Sequence, residues 1–474
     1  MTDPHAAELR RTTWARDGAA VGIVHLGFGA FHRAHQAVYV DDYMEATGDL
    51  RWGIAAVNLR EAESDAFAAT QDASDGYLLK TTAPDGTRDL RLVRPHLAFA
   101  DWARDPACAE ALLALPSVHV VSMTVTESGY CLRDDWTLDT DNPVIAAEIA
   151  GGPRRSVYAY LAAALEARRA GPGTPLTILC CDNIRANGRM LARNLLAYLE
   201  VTGRAALAGW VRDNASFPCA MVDRITPRAT PELAAEIEAL FPGRRLAPIH
   251  AEAFIQWVIE DDFAAPFPDL RVSGVQIVAD VDPFEEAKIR ILNGGHTGLA
   301  YLGALAGHRT FDEAMRDPAI RGHFDRYETD NVLPGLEGVA LPFDKEAYLR
   351  EIAARFENRA IADALERICM DGWSKMPIYI RPTLESCLAH GLAPEAGYDS
   401  VASWYVYARR VAAGTMPIAY AEPYWTTLEP LLAQGREEDF ARTRALWGDL
   451  PERHPGFVPG VKDAIRRMAA RWAA

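Results

Sequence analysis

The chain has 474 residues and a net charge of −16. This length is too great for one ordinary core, so two domains are expected. The acidic balance argues against nucleic acids and anionic membranes as partners, because both attract basic surfaces. No run of about 18 apolar residues occurs, and the N-terminal MTDPHAAELRR lacks the hydrophobic segment of a signal peptide, so a cytoplasmic protein is expected.

Strand-like and helical segments alternate through the N-terminal part. Apolar runs rich in β-branched residues at 21–26, 53–58, 118–125 and 176–183 suit buried parallel strands. After about position 284 the strand signals vanish, and helical patterns continue to the end. The sequence predicts an α/β, Rossmann-type doubly wound domain over 1–284. A mostly α-helical substrate-binding domain is predicted over 285–474, with the site in the cleft between the two.

The first strand-like run leads into a glycine-containing turn, which is how a dinucleotide-binding fold begins. Gly27 and Gly29 would let the backbone approach a pyrophosphate, and the following helix N-terminus would offer free N–H groups. A standard G-x-G-x-x-G motif needs a third glycine where this chain has His32, so the motif alone suits a plain strand–turn–helix equally well. Arg33 and His35 at the start of the helix could serve an anionic ligand or a solvated surface.

The most informative motif is the spacing of Lys288, Asn293 and His296 in KIRILNGGHTGLAYLG. In an α-helix, at about 100° per residue, Asn293 lies about 140° and His296 about 80° from Lys288, so the three share one side. Their neighbours are apolar, so the trio is expected to face an enclosed site. Gly294 and Gly295 would each cost about 1 kcal/mol in a helix, which indicates a close approach to the backbone. The spacing alone allows another interpretation equally well, in which the lysine is solvated, the asparagine is ordinary and the histidine belongs to the core.

The seven cysteines show no C-x2-C spacing, so reduced thiols are expected and no metal site is predicted. Cys180 and Cys181 follow a strand-like run and are interpreted as packing residues.

Seven strings, taken in order, resemble the polyol-specific long-chain dehydrogenases, a family that includes mannitol 2-dehydrogenase, fructuronate reductase and arabinitol dehydrogenase. They are GFGAFHRAHQ, SMTVTESGY, CDNIRANG, FPCAMVDRITP, QWVIEDDF, PFEEAKIRILNGGH and MDGWSKMP, and the resemblance runs from about position 20 to about position 415. It implies a zinc-independent, NAD-dependent enzyme that interconverts a secondary alcohol of a linear polyol or sugar acid with the ketone. A monomer is expected.

The chemistry needs a base, because hydride leaves a carbinol carbon only when its hydroxyl proton is removed. Lys288 is expected to be that base, since desolvation in a cleft favours a neutral amine. The resemblance assigns Asn293 and Asn183 as donors to the developing alkoxide, a role that side-chain amides perform without a competing charge. Asn183 ends the run LTILCCDN and could instead be a turn former. His296 is expected to orient the substrate by hydrogen bonding.

Four further residues are expected at the substrate by resemblance. Asp223 resembles a substrate-site aspartate, although alone it could pair with Arg224 or cap the next segment. Glu285 resembles a glutamate that gates water to the base, although a Glu three residues before a Lys is also common helix decoration. Arg367 and Lys375 have the spacing of residues that hold polyol hydroxyls in mannitol dehydrogenases.

The cofactor is expected to be NAD, with NADP not excluded. NAD enzymes place a carboxylate at the tip of the second strand, and here Asn58 is at the tip with Arg60 and Glu61 beyond it. Glu61 is the expected ribose contact, while Arg60 leaves dual specificity open. The other cofactor residues follow from the resemblance, and they are Gly27, Gly29, Phe31, His32, Arg33, Ser122, Thr124 and Glu127.

The motifs disagree about the substrate. Arg367 favours a mannitol 2-dehydrogenase that converts D-mannitol to D-fructose, whereas VNLR, VTESGYC and FPCAMVDRITP look closer to fructuronate reductases. Mannitol is the first choice, with D-mannonate or another polyol such as arabinitol as alternatives. A nucleotide-binding sensor that has lost the reaction is disfavoured, because Lys288, Asn293, His296 and Asn183 are all present.

Overall fold

The computed structural model describes residues 9–71, 75–133 and 135–472. These described residues divide into two compact units, the first lying within 1–83 and 87–282 and the second within 84–86 and 283–474. The domain boundary after 284 stays a prediction.

The strands all lie in the first unit. They are β1 (Leu9–Arg11), β2 (Val21–Leu26), β3 (Gly53–Asn58), β4 (Tyr77–Thr82), β5 (Arg88–Val93), β6 (His96–Asp101), β7 (Val120–Met123), β8 (Leu176–Cys180), β9 (Ala215–Ser216), β10 (Ala220–Asp223), β11 (Ile249–Glu252), β12 (Gln256–Glu260) and β13 (Gln276–Val278).

The largest sheet has six parallel strands in the order β6-β3-β2-β7-β8-β9. In terms of the strands of this sheet alone, that order is 3-2-1-4-5-6, the arrangement of the Rossmann fold. The chain winds outward in both directions from β2, so the order reverses between β2 and β7. Open α/β sheets bind ligands beyond the carboxyl ends of the strands at such a reversal.

The parallel strands are apolar because both faces of the sheet are covered. Val24, Ala55, Val121 and Ile178 face one core, which also contains residues of the helix Val157–Ala170. Their strand neighbours Ile23, Ile54, Val120 and Leu179 face a second core, which contains residues of the helix Gln36–Thr47. Successive side chains of a strand point to opposite faces, so each strand contributes to both cores.

The predicted strands differ from the observed ones mainly at their ends. The runs 21–26 and 53–58 have the predicted bounds, whereas the runs 118–125 and 176–183 are strand only over Val120–Met123 and Leu176–Cys180. Asn183 therefore does not end a strand but lies in the loop after β8. Two smaller sheets, β1-β5-β4-β11 and β10-β12-β13, complete the first unit.

The α-helices of the first unit are α1 (Ala30–Ala34), α2 (Gln36–Thr47), α3 (Ser64–Gln71), α4 (Pro106–Ala111), α5 (Pro143–Ile149), α6 (Val157–Ala170), α7 (Asn187–Val201), α8 (Ala205–Asn214) and α9 (Pro231–Leu240). Short 3-10 helices occur at Leu50–Trp52, Glu61–Glu63, Leu112–Ala114, Glu127–Tyr130 and Leu270–Ser273.

The described part of the second unit consists of helices joined by turns and loops, which confirms the predicted fold class. Its α-helices are α10 (Asp282–Ala287, beginning at the last residue of the first unit), α11 (Gly295–Leu305), α12 (Phe311–Arg316), α13 (Pro318–Arg326), α14 (Leu333–Gly335), α15 (Lys345–Phe356), α16 (Leu365–Cys369), α17 (Gly372–Lys375), α18 (Arg381–Ala389), α19 (Glu395–Ala412), α20 (Trp425–Leu428), α21 (Glu437–Ala441), α22 (Arg444–Trp447), α23 (Leu450–Arg453) and α24 (Phe457–Arg471). A 3-10 helix spans Glu429–Leu432.

Three π-helices interrupt this helical unit, at Lys288–Gly294, Tyr327–Val332 and Met376–Ile380. The first packs against the other two. It leads directly into α11, which is buried along its length except at His296 and packs against α16 and α19. Within the described residues, no helix has the length and apolarity needed to cross a membrane.

Candidate active site

The turn after β2 has the backbone geometry that a bound dinucleotide needs. Gly27 has φ +99°, and a Cβ there would lie 2.5 Å from the carbonyl oxygen of Thr124 at the end of β7. Gly29 precedes α1, and no heavy atom lies within 4 Å of the position that its Cβ would take. The first glycine is thus required by the close approach of the two strands, whereas the second is exposed and has open space beside it at the sheet reversal.

A buried histidine connects the two strands below this turn. His25 in β2 is fully buried, and its ring nitrogens form hydrogen bonds with Ser122 Oγ (Nδ1, 2.8 Å) and Thr124 Oγ1 (Nε2, 3.1 Å). Its ring stacks on His32 at 3.4 Å, and His32 Nε2 lies 2.9 Å from His96 Nε2. Ser122, Thr124 and His32 were predicted at the cofactor, and the structure places their polar groups in this internal network.

The three histidines are neutral because they are buried. Burial lowers the pKa of His32 to about 3 and the pKa values of His25 and His96 well below the usual range. His25 and His96 escaped the sequence prediction. An imidazole inside an apolar strand was the available signal for His25, but its partners are 97 and 99 positions away.

Arg33 and Phe31, both predicted at the cofactor, are partly buried. The Arg33 guanidinium lies 5.4 Å from the ring centre of Phe28 and 5.3 Å from that of Tyr77, and its Nη1 donates to the carbonyl of Ala247. Phe31 stacks on His35 at 4.9 Å. The guanidinium is thus held by two aromatic rings and one backbone carbonyl, and its place at the cofactor stays a prediction.

The tip of β3 carries the residues expected at the ribose. Asn58 is buried, and its Nδ2 donates to the Arg60 carbonyl (2.9 Å) and to Asp101 (3.2 Å). Glu61 begins the next 3-10 helix and is exposed. Asn58 therefore shapes the turn, and Glu61 is the exposed carboxylate beyond it.

Asp182 holds the loop after β7 to the loop after β8. Its carboxylate accepts hydrogen bonds from the backbone N–H groups of Val125 and Thr126 (both 2.9 Å) and from Tyr130 Oη (2.6 Å). Burial raises the pKa of Asp182 to about 6, with these hydrogen bonds acting in the opposite direction. Glu127 in the first loop and Asn183 in the second are both exposed. The sequence prediction selected these two but missed the aspartate that fixes their loops.

Asp223 ends β10 and is buried. Its neighbour Arg224 donates to the carbonyl of Glu252 (2.9 and 2.8 Å) and to that of Ala34.

The segment with Lys288 and Asn293 is a π-helix, so the α-helical spacing predicted for it is wrong. In a π-helix the backbone hydrogen bond joins residues five apart, and Lys288 and Asn293 are separated by that interval. The asparagine therefore follows the lysine after one turn. Both are buried, and so is Glu285 in α10 just before them.

The amide of Asn293 is available as a donor. Its Nδ2 is buried and has no hydrogen-bond partner among the described residues. Buried donors normally have partners, so an unpartnered one calls for an explanation such as a ligand.

The glycine pair after Asn293 is explained by neighbouring side chains. A Cβ on Gly294 would lie 2.8 Å from Tyr327 Oη, and a Cβ on Gly295 would lie 2.5 Å from Glu328 Oε1 and 2.8 Å from a ring carbon of Phe324. The close approach predicted from the sequence is therefore made by the protein itself.

His296 is the one residue of α11 that is only partly buried. Its ring packs on Phe311 (4.3 Å) and Phe356 (5.2 Å). Burial, followed by the charges of Arg367, Lys375 and Arg355, lowers the pKa of His296 well below its usual range. The imidazole is therefore neutral, with one donor and one acceptor nitrogen, which suits a hydrogen-bonding role.

Arg367 and Lys375 are brought to the same region as His296. Arg367 forms an ion pair with Asp363 one turn earlier, through Nε at 2.8 Å and through Nη2. Lys375 Nζ donates to the carbonyl of Ile368 at 2.7 Å. Lys288, Asn293, His296, Glu285, Arg367 and Lys375 belong to the second unit, whereas Asn183, Asp223 and the predicted cofactor residues belong to the first.

One group of carboxylates among the described residues could hold a metal ion, formed by Glu260, Asp280 and Asp282. Arg189 pairs with Glu260 (3.0 Å) and with Asp282 (2.5 Å). None of these residues is a predicted site residue. All seven cysteines are free, and Cys180 and Cys181 are buried, as their interpretation as packing residues requires.

Comparison with known proteins agrees with a two-domain dehydrogenase. Residues 21–272 match the mannitol dehydrogenase Rossmann domain, and residues 280–469 match the mannitol dehydrogenase C-terminal domain. The chain therefore belongs to the mannitol dehydrogenase family, whose members are oxidoreductases that act on CH–OH donors.

Three relatives show how far the similarity extends. D-arabinitol 4-dehydrogenase of Ralstonia nicotianae is 38% identical over 471 residues, covering 98% of this chain and 99% of that protein. Mannitol 2-dehydrogenase of Phaeosphaeria nodorum is 34% identical over 469 residues, covering 96% and 80%. The structure of Pseudomonas fluorescens mannitol 2-dehydrogenase in a ternary complex with NAD and D-mannitol superimposes with a TM-score of 0.88 at 32% identity, covering 98% and 95%.

Proposed function

We propose that this protein is an NAD-dependent dehydrogenase that oxidises a secondary alcohol of a linear polyol to the ketone, with Lys288 as the general base. The observation that carries the proposal is the π-helix Lys288–Gly294, which places a buried amine and a buried amide with an unpartnered Nδ2 one turn apart. π-Helical turns are rare and are frequent at functional sites.

The two side chains have complementary tasks. Lys288 takes the proton from the substrate hydroxyl, for which a neutral amine is needed. Asn293 donates to the oxygen as negative charge develops there, and Asn183 is proposed as a second donor. The neutral His296 holds a neighbouring hydroxyl. Bound NAD would supply the acceptor for the hydride of the carbinol carbon.

The residues at the sheet reversal fit a dinucleotide. Gly29 leaves room for the pyrophosphate, and Ser122, Thr124 and Glu127 are proposed near the nicotinamide. Glu61 is proposed at the ribose hydroxyls, where a carboxylate favours NAD over NADP. Arg60 beside it keeps some use of NADP open.

Among substrates, the pairing of Arg367 favours a polyol over a sugar acid. A substrate carboxylate needs a cation to replace its water, but the Arg367 guanidinium is already paired with Asp363. The hydroxyl groups of a polyol need no cation to replace their water. D-Mannitol is the first candidate, with Arg367, Lys375, Asp223 and Glu285 proposed at the substrate.

D-Arabinitol is a second candidate, because a relative named D-arabinitol 4-dehydrogenase shares 38% identity over nearly the whole chain. D-Mannonate remains the alternative if a substrate acid displaces Asp363 from Arg367.

The assignment of the base is tested by Lys288→Ala. We expect kcat for polyol oxidation to fall at least about 100-fold, in line with general-base contributions, while NADH still binds. Lys345→Ala serves as the control, because Lys345 lies on α15 and donates to the carbonyl of Leu333. A Lys288→Ala enzyme with most of its activity would rule out Lys288 as the base.

A further inference from the structure

A glutamate with no role in the proposed reaction is completely buried in the second unit. Glu328 lies in the π-helix Tyr327–Val332 and has 0% exposure. Neither of its carboxyl oxygens has a hydrogen-bond partner among the described residues. An ionised carboxylate in such surroundings loses its hydration without replacement, so the protonated form is favoured.

Glu328 packs directly on the segment that carries the proposed catalytic groups. Its Oε1 lies 2.5 Å from the position that a Cβ on Gly295 would take. Gly295 stands between Asn293 and His296. The carboxyl group therefore occupies the space beside the backbone where the π-helix passes into α11.

Arg290 is the cation whose charge acts on Glu328. Its Nη1 is engaged by other groups, while its Nη2 is buried and has no hydrogen-bond partner among the described residues. Arg290 is 2% exposed, donates through Nη1 to the Gly335 carbonyl (3.0 Å) and Ser386 Oγ (3.1 Å), and pairs with Glu286 at 3.5 Å. Burial raises the pKa of Glu328 well above its usual range, and Arg290 opposes this shift only in part.

Other ionisable groups lie on Glu328's own π-helix and on the elements packed against it. Burial raises the pKa of Tyr327 above its usual range and that of Cys387 to about 11, and it lowers the pKa of His323 to about 3. These three groups are therefore neutral near pH 7. The remaining buried ionisable groups on these elements are Lys288, Tyr398, Tyr405 and Tyr407.

We propose that Glu328 carries its proton at neutral pH and is a positioning residue, whose side chain fixes the connection between Asn293 and His296 by packing on Gly295. This inference rests on the proposed function, because it treats Lys288–His296 as the catalytic segment.

Three variants separate charge from packing. Glu328→Gln keeps the shape without the ionisable group, and Glu328→Ala removes the packing on Gly295. Glu337→Gln is the control, because Glu337 is an exposed glutamate a few residues further along the same unit. Infrared spectra at pH 7 should show a protonated carboxylic acid in the wild type and in Glu337→Gln, and this band should be missing in Glu328→Gln. A wild type without the band overturns the proposal.

Stability against pH gives a second measurement of the same proton. The folded wild type keeps the proton, whereas the unfolded chain releases it above about pH 4.3, so this residue increases the unfolding equilibrium constant about tenfold per pH unit. Glu328→Gln has no carboxyl group to ionise on unfolding, so it does not lose this stability as the pH rises. Its melting temperature relative to the wild type should therefore rise steadily from pH 5 to pH 8. A constant difference, or a Gln variant that does not fold while the control does, contradicts a protonated Glu328.

Kinetics test the positioning role. Glu328→Ala should lower kcat at least about tenfold with little change in KM for NAD, because small displacements of catalytic groups are costly, and Glu328→Gln should restore most of that kcat. Wild-type kcat in the Ala variant overturns the positioning role. Lys288→Ala, measured in the same experiment, separates the two proposals. If Lys288→Ala is inactive while Glu328→Ala keeps wild-type kcat, only the positioning role is refuted. If Lys288→Ala is active, the proposed function is refuted.

Discussion

Three histidines below the Gly27 turn are held neutral inside the first unit. His25 joins Ser122 and Thr124, His32 stacks on His25, and His96 bonds to His32. A proton on any of them would place an uncompensated charge in the interior, because the surrounding partners are hydroxyls and other imidazoles. The protonation of these histidines therefore affects the packing beside the turn that is proposed to receive the pyrophosphate.

The stability of the protein should consequently fall in mild acid. The folded pKa of His32, about 3, is below the ordinary value of 6.5, so below pH 6.5 the unfolded state binds a proton that the folded state excludes. The stability that the protein gains from a neutral His32 is fully present above pH 6.5 and is lost as the pH decreases toward 3. Its slope is about 1.4 kcal/mol per pH unit for each histidine.

His32→Gln should reduce the dependence of stability on pH by the contribution of one proton. We expect its melting temperature to decline less steeply than that of the wild type between pH 6.5 and pH 4.5. His390→Gln provides the control, because His390 is exposed. If His32→Gln and the wild type decline in parallel, His32 is not excluded from protonation in the folded state.

At the scale of elements, the two glycines of the β2 turn have different tasks. An alanine at position 27 would adopt a positive φ and meet the Thr124 carbonyl oxygen at 2.5 Å, whereas an alanine at position 29 meets no atom within 4 Å. Gly27→Ala should therefore lower the melting temperature, because strain and collision act in the folded protein itself.

Gly29→Ala should keep the melting temperature of the free protein and raise the Kd for NADH, since its methyl group enters the space proposed for the pyrophosphate. Thermal unfolding and NADH fluorescence titration measure the two effects. Unchanged NADH binding in Gly29→Ala would remove Gly29 from the cofactor site.

The elements also show what local sequence can predict. The strands at 21–26 and 53–58 were predicted with their observed bounds because both faces are buried and the runs are apolar except at His25 and Asn58. The helix type at 288–294 was wrong because the π-turn accompanies packing of Tyr327 and Glu328 on Gly294 and Gly295, and these partners lie more than thirty positions away in the sequence. Asp182 was missed for a similar reason, because the backbone N–H groups that it accepts from, those of Val125 and Thr126, lie 57 and 56 positions away in the sequence.

At the scale of the whole molecule, the family assignment rests on matches over both units, and the residues proposed for catalysis contain no zinc-ligand cluster. An amine and amides can stabilise the alkoxide without a Lewis acid. Prolonged dialysis against a chelator should therefore leave polyol oxidation at its full rate, with metal analysis finding no stoichiometric zinc. Activity that disappears on chelation and returns with zinc would show that the reaction needs the metal.

The most direct test of the account is the rate of NADH formation from D-mannitol, D-arabinitol and D-mannonate, measured as kcat/KM for the wild type beside Lys288→Ala. We expect that a polyol is the best substrate, that the rate rises with pH as the base loses its proton, and that Lys288→Ala loses the activity. If D-mannonate exceeds both polyols by tenfold or more, about 1.4 kcal/mol in transition-state binding, the pairing of Arg367 with Asp363 has been misinterpreted and the substrate is a sugar acid.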